Sequence, residues 1–129
     1  SLRWDPDPRV KVFSDLTYQN AESPGSAEPL RNLPEWMGSV RVGFQPIEPL
    51  EVRVELSFAS ESFDVQIAVP DMTVVGGYGL LDLAASWDLS AAWEVLARVD
   101  NLTDTDYRHF IGFPQPGVTG KIGLAYTLR

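Results

Sequence analysis

The chain has 129 residues, no cysteine, and 18 acidic against 10 basic residues, for a net charge of −8 and a pI near 4.4. That length fits one domain or a piece of one. Absent thiols exclude a disulfide scaffold and a thiolate metal centre, and the acidic balance argues against a nucleic-acid partner or docking on anionic headgroups. No apolar run approaches the ~18 residues of a membrane helix, yet a mean hydropathy of −0.09 is also what a membrane barrel shows, since half of each of its strands is polar.

Six strands are predicted in chain order. The first, Val10 to Tyr18, is irregular because Phe13 breaks its alternation. Gly38 to Gln45 follows, with Val40, Val42 and Phe44 on one face. The third starts at Glu51 and puts Val52, Val54, Leu56 and Phe58 opposite Arg53, Glu55, Ser57 and Ala59; it has room to run past Ala59 into Ser60–Val65. In the fourth, Tyr78 to Leu89, the residues Leu81, Leu83, Ala85, Trp87 and Leu89 share a face. The fifth, Trp93 to Asp100, opposes Trp93, Val95, Ala97 and Val99 to Glu94, Leu96, Arg98 and Asp100. The sixth is Lys121 to Leu128. Side chains alternate between the two faces of a strand, so each segment is apolar on one side and polar or small on the other. No stretch holds a 3.6-residue period, and the ten prolines and ten glycines fall mostly between strands.

The connections alternate strictly. Pro46–Leu50 and Ser90–Ala92 are short, whereas Gln19–Met37, Ser60–Gly77 and Asn101–Gly120 are several times longer. In an up-and-down sheet this puts every long loop at one end and every tight turn at the other, the asymmetry of outer-membrane barrels and not of a Greek-key sandwich. Trp4, Trp36, Trp87, Trp93, Tyr78 and Tyr126 near strand ends suit an interfacial aromatic girdle. The expected fold is therefore all-β, an antiparallel up-and-down meander that is part of, or forms, a transmembrane outer-membrane β-barrel. Six strands are fewer than the about eight of the smallest single-chain membrane barrels. Leu2–Asp5, and a Phe63–Val75 hairpin turning at Pro70-Asp71, would make eight; the hairpin is preferred as a local excursion of an outward loop.

Arg98-Val99-Asp100-Asn101-Leu102-Thr103-Asp104-Thr105-Asp106-Tyr107 is similar to the penultimate-strand NLFDxxY signature of the TonB-dependent outer-membrane receptors, whose last strands several other segments also resemble. Gly112-Phe113-Pro114-Gln115-Pro116-Gly117 resembles the family's GYxxPGR loop, with Val118 where Arg is usual. Gly77–Leu83 looks like a Y-x-L-x-D-L strand opening, and Asn32–Trp36 like a strand lead-in. The motif positions are thus Asn101, Leu102, Asp104, Tyr107, Pro116 and Gly117. The resemblance implies that residues 1–129 are C-terminal barrel strands without a plug domain, located in the bacterial outer membrane. It implies a parent that imports a ferric siderophore, cobalamin or similar nutrient. The implied partners are outer-membrane lipid, the rest of the barrel and its plug or other copies of the chain, and TonB only through that plug.

Candidate chemistry is sparse. Asp100, Asp104 and Asp106 cluster with Asn101, but without EF-hand spacing, and turn chemistry accounts for them; no metal and no cofactor is expected. His109 is the only histidine, and no G-x-S-x-G elbow accompanies it, so no enzyme is expected. Tyr107, His109 and Phe113 fall in an outward loop where ligand would be met. Arg41, Arg53, Glu55, Glu94 and Arg98 fall on the polar face, as a ladder of cross-strand charge pairs facing a wet lumen. Two other classes stay open: a small stand-alone or oligomeric barrel, and a soluble all-β binding module.

Overall fold

A computed structural model describes residues 1–20, 33–65 and 72–128, and among them every regular element is a strand. Seven strands form one antiparallel sheet: β1 (Leu2–Asp7), β2 (Val10–Tyr18), β3 (Trp36–Ile47), β4 (Leu50–Ala59), β7 (Tyr78–Asp88), β8 (Trp93–Asp100) and β11 (Thr119–Tyr126), each paired with its neighbour in that order. Two hairpins stand apart from it, β5 (Ser62–Val65) with β6 (Met72–Val75), and β9 (Arg108–Phe110) with β10 (Phe113–Pro114).

All six predicted strands form. Their bounds shift by a residue or two: β3 begins at Trp36 and runs through Pro46, and Leu89 falls just outside β7. The sheet also has a seventh strand, since Leu2–Asp7 pairs with β2. The Phe63–Val75 segment does not add wall strands; its legs pair only with each other, Phe63 opposite Val74, as an excursion of the loop. Its proposed turn at Pro70-Asp71 lies outside the described residues. Pro6 and Pro46, which cannot donate to a ladder, coincide with register shifts between Trp4 and Asp7 and between Phe44 and Ile47.

The register sorts the two faces across the sheet. Val12, Val42, Val54, Leu83, Val99 and Gly120 form one row, and Val10, Phe44, Val52, Ala85, Ala97 and Ile122 another. The one charged residue paired into these rows is Asp7, opposite Val10 beside the β1–β2 turn. This face is not a core. Among the described residues Val75 is the only buried hydrophobic side chain, while Leu56 is 47% and Ile122 is 83% exposed. Phe13, which spoiled the alternation of β2, points to the polar face and lies 5.2 Å beneath the Arg3 guanidinium.

Aromatic pairs close the apolar band at both ends. Tyr18 and Trp36 have ring centroids 4.6 Å apart at the long-loop end, and Trp93 and Tyr126 lie 4.7 Å apart at the tight-turn end. Along β4 the upper row corresponds to Ser60, bonded to Trp36, while Leu50 lies opposite Trp87, the aromatic residue one row above Trp93 and Tyr126. Those ten steps, at about 3.3 Å each and a tilt of about 40°, span roughly 25 Å, the height of a barrel's lipid-facing band.

Candidate functional site

The polar face carries charges that largely satisfy one another. Arg41 on β3 grips Glu55 on β4 through two bonds of 2.7 and 3.0 Å. Arg98 on β8 reaches Asp82 on β7 at 3.5 Å and also bonds Asp100, which takes Lys121 of β11 at 3.0 Å. The expected cross-strand ladder is present in Arg41–Glu55, Arg98–Asp82 and Lys121–Asp100, while Arg98–Asp100 runs along β8. Arg53 also departs from the ladder by pairing along its own strand with Glu51, and Glu94 joins no ion pair among the described residues.

At the long-loop end Asn101 organises the exit from β8. It and Asp104 are left-handed, with φ of 54° and 52°, a conformation that short amide and carboxylate side chains tolerate by local bonding. The Asn101 N–H donates to Asp82 Oδ1 at 2.8 Å. Its amide Oδ1 accepts the Thr105 N–H at 2.8 Å, and its Nδ2 donates to the carbonyls of Thr105 and Pro116 at 2.9 and 3.4 Å. Leu102 N–H donates to Leu81 O at 2.7 Å, and Asp104 Oδ1 accepts Val118 N–H at 3.0 Å. A methyl group on Gly117 would collide with that same Oδ1. Asn101, Leu102, Asp104, Pro116 and Gly117 therefore act together as a lock joining β7, β8 and the lead into β11. Asp104 and Asp100 are engaged in turn and ion-pair chemistry, and no cluster of metal-binding side chains occurs among the described residues.

The lock holds the β9–β10 hairpin beside the start of β7. Tyr107 and His109 come together there, their ring centroids 5.3 Å apart, and Tyr78 completes a trio at 4.8 Å from Tyr107 and 5.6 Å from His109. Tyr78 Oη lies 3.3 Å from His109 Nδ1. Phe113 does not join them; it stands opposite Phe110 and is 67% exposed. Tyr78 was not among the expected site residues. The signal for it was topological: Tyr78 opens a strand at the end of the sheet from which the Asn101–Gly120 loop emerges.

The β5–β6 hairpin leans on β9–β10. The two touch between β6 and β9, and Asp64 Oδ2 accepts the Ile111 N–H at 3.0 Å. A cavity of about 50 Å³ remains between them, lined by Ser62, Val75, Tyr78, Arg108 and His109 among others.

Comparison with known proteins gives a consistent result. The family profile "TonB dependent receptor-like, beta-barrel" matches residues 1–102. Among solved structures, the ferric-catecholate import receptor Fiu of E. coli K12 superposes with a TM-score of 0.76 at 18% identity, covering 96% of this chain and 19% of that one. The siderophore receptor PirA of Acinetobacter baumannii gives 0.82 at 14% identity, over 96% and 20%. A mutant of the ferric enterobactin receptor PfeA of Pseudomonas aeruginosa, in a complex with enterobactin, gives 0.78 at 17%, over 97% and 21%. The chain thus spans about a fifth of the length of the receptors it matches. No curated protein is similar enough in sequence to count as a relative.

Proposed function

This chain belongs to the TonB-dependent receptor β-barrel family, whose members are outer-membrane barrels of Gram-negative bacteria, and we propose that it forms C-terminal wall strands and outward loops of a receptor importing a ferric siderophore, cobalamin or similar nutrient. The observation that carries this reading is the pair of opposed faces: an apolar band about 25 Å tall on one side, with Asp7 its one charge at the β1–β2 turn, and a salt-bridged face on the other. A soluble binding module would have to bury that band. A small closed barrel would have to pair β1 with β11, the two open edges of the sheet.

In this reading the plug, and through it the contact with TonB, belongs to the rest of the protein. The salt-bridged face lines the lumen around the plug, and the long loops face outward. Tyr107, His109 and Phe113 meet ligand there, with Tyr78 beside the first two. An imidazole and two phenols offer stacking surfaces and hydrogen bonds to a chelate without any chemical step.

Two measurements test the proposal. A denaturing immunoblot of outer membranes from the source cells is expected to show a band several-fold heavier than 14.3 kDa; a band at 14.3 kDa would replace the receptor with a stand-alone or multi-chain barrel. Uptake of radiolabelled ferric siderophores, and separately of cobalamin, is expected to fall several-fold in a His109→Ala receptor. Unchanged uptake of every ligand the receptor carries would remove His109 from the site.

A further inference from the structure

Tyr78 and His109 present two metal donors side by side. Tyr78 opens β7 opposite Ala59, on the Glu55 side of β4, so its ring lies on the salt-bridged face at the outward end. His109 comes to it on β9, and Tyr78 Oη stands 3.3 Å from His109 Nδ1. That is longer than the about 2.7–3.2 Å of a good hydrogen bond. It is the separation of two donors that share one ion. First-row metal ions hold nitrogen and oxygen ligands at about 2.0–2.2 Å, so neighbouring ligands at right-angled to tetrahedral spacing lie about 2.8–3.6 Å apart.

The pair is both oriented and open. Tyr107 packs against the two rings, edge-on to His109 at 5.3 Å and tilted on Tyr78 at 4.8 Å, which sets the planes from which the donors point. His109 is exposed and Tyr78 is half-buried, so a molecule reaches them without any rearrangement of the loops. Both donors suit ferric iron, since imidazole is a common iron ligand and tyrosine also binds iron in haem proteins. Two donors are too few to keep an ion of their own, in line with the lack of a metal-binding cluster among the described residues. They are enough to fill two positions that a chelator leaves open.

We propose that Tyr78 Oη and His109 Nδ1 bind the iron of an incoming chelate directly, so that the preferred ligand is a ferric chelate with two open coordination positions. The inference rests on the reading of this cluster as the ligand site, and adds a bond to the metal to the stacking and hydrogen bonding described above. The exchange balances. Tyr78 gives its phenolic proton to water, His109 Nδ1 offers its lone pair to iron in place of the contact with Tyr78, and two water ligands leave an ion that stays ferric. The phenolate adds one negative charge to the complex, and Arg108, which borders the same small cavity as the two donors, offers a cation to it. Tyr107 is a positioning residue in this scheme.

The probe is ferric nitrilotriacetate, whose chelator leaves two positions to water, added to the intact receptor purified in detergent. Phenolate on ferric iron absorbs visible light by charge transfer, so a new, saturable visible band is expected. Tyr78→Phe keeps the ring and loses the donor, and is expected to weaken the band at least tenfold. His109→Ala is expected to raise the concentration needed for half-saturation about tenfold, and Tyr107→Phe to keep the band. Ferric desferrioxamine, in which the chelator fills every position, is expected to give none. If His109→Ala does not assemble, Tyr78→Phe carries the test. No band from ferric nitrilotriacetate, a band of equal strength in Tyr78→Phe, or an equal band from ferric desferrioxamine would each overturn the proposal. The ligand site itself fails separately: uptake that falls in His109→Ala without any band would leave the cluster meeting ligand and remove only its bond to iron.

Discussion

Asn101 is the side chain on which the outward rim depends most. It is 4% exposed, left-handed, and bonded to the backbone on two sides. Alanine there would strand the Thr105 N–H and oblige a Cβ-bearing residue without local bonding to hold a positive φ. Asn101→Ala should therefore cost about 2–4 kcal/mol, read as a lower urea midpoint of the receptor in detergent. Asn101→Gly, which keeps the conformation and loses only the amide, should cost less; equal losses would show that backbone strain plays no part. The lumen-facing pairs matter less individually. Arg41 and Glu55 are both partly exposed, so Arg41→Ala should cost under about 1 kcal/mol in the same assay. The sequence marked Asn101, Asp104 and Gly117 as a motif, but not why they belong together. Their logic is a set of bonds between residues as far apart in sequence as Asn101 and Asp82, which spacing alone does not encode.

At the level of strands, period two was enough wherever one face meets an apolar medium and the other water. β4, β7 and β8 could be read almost residue by residue for that reason. β1 was harder: Asp5, Pro6 and Asp7 interrupt the pattern, and only pairing with β2 across the Pro8-Arg9 turn makes it a strand. β9 and β10, of three and two residues, carry no period at all; the Asn101 lock and their mutual pairing define them. Membership of the apolar face has an energetic consequence that depends on depth. Val54 sits near mid-height, opposite Val42 and Leu83, and Val54→Arg should cost about 2–4 kcal/mol in lipid vesicles. The same change one position on, Glu55→Arg, stays in the wet lumen. It breaks a surface-grade ion pair and should cost about 1 kcal/mol. Similar urea midpoints for the two variants would contradict the assignment of faces.

Considered whole, the described chain has a sheet with two unsatisfied edges and no interior. Each unpaired backbone group in hydrocarbon costs several kcal/mol, so β1 and β11 both require partner strands before this wall can exist in a bilayer. Produced alone, the 129-residue chain should aggregate without detergent and, with it, give no heat-modifiable band on a gel. A sharp heat-modifiable species would show that the edges can find each other, contrary to the sheet seen here. The sequence could indicate that a membrane barrel was involved, because loop asymmetry is a local property. It could not count the wall, because nothing in the pattern of β1 or β11 says which strands cover those edges.

The aromatic rows have one more consequence. Trp36 above and Trp87 below fix the hydrocarbon depth this wall fits at roughly 25 Å. Since no packed interior lies behind that band, lipid itself supplies most of the apolar contact, and acyl-chain length becomes a determinant of stability. Hydrophobic mismatch costs fractions of a kcal/mol per Å, and the bacterial outer membrane is thinner than the average bilayer. The intact receptor should therefore be most stable in short-chain lipid and progressively weaker in long-chain lipid.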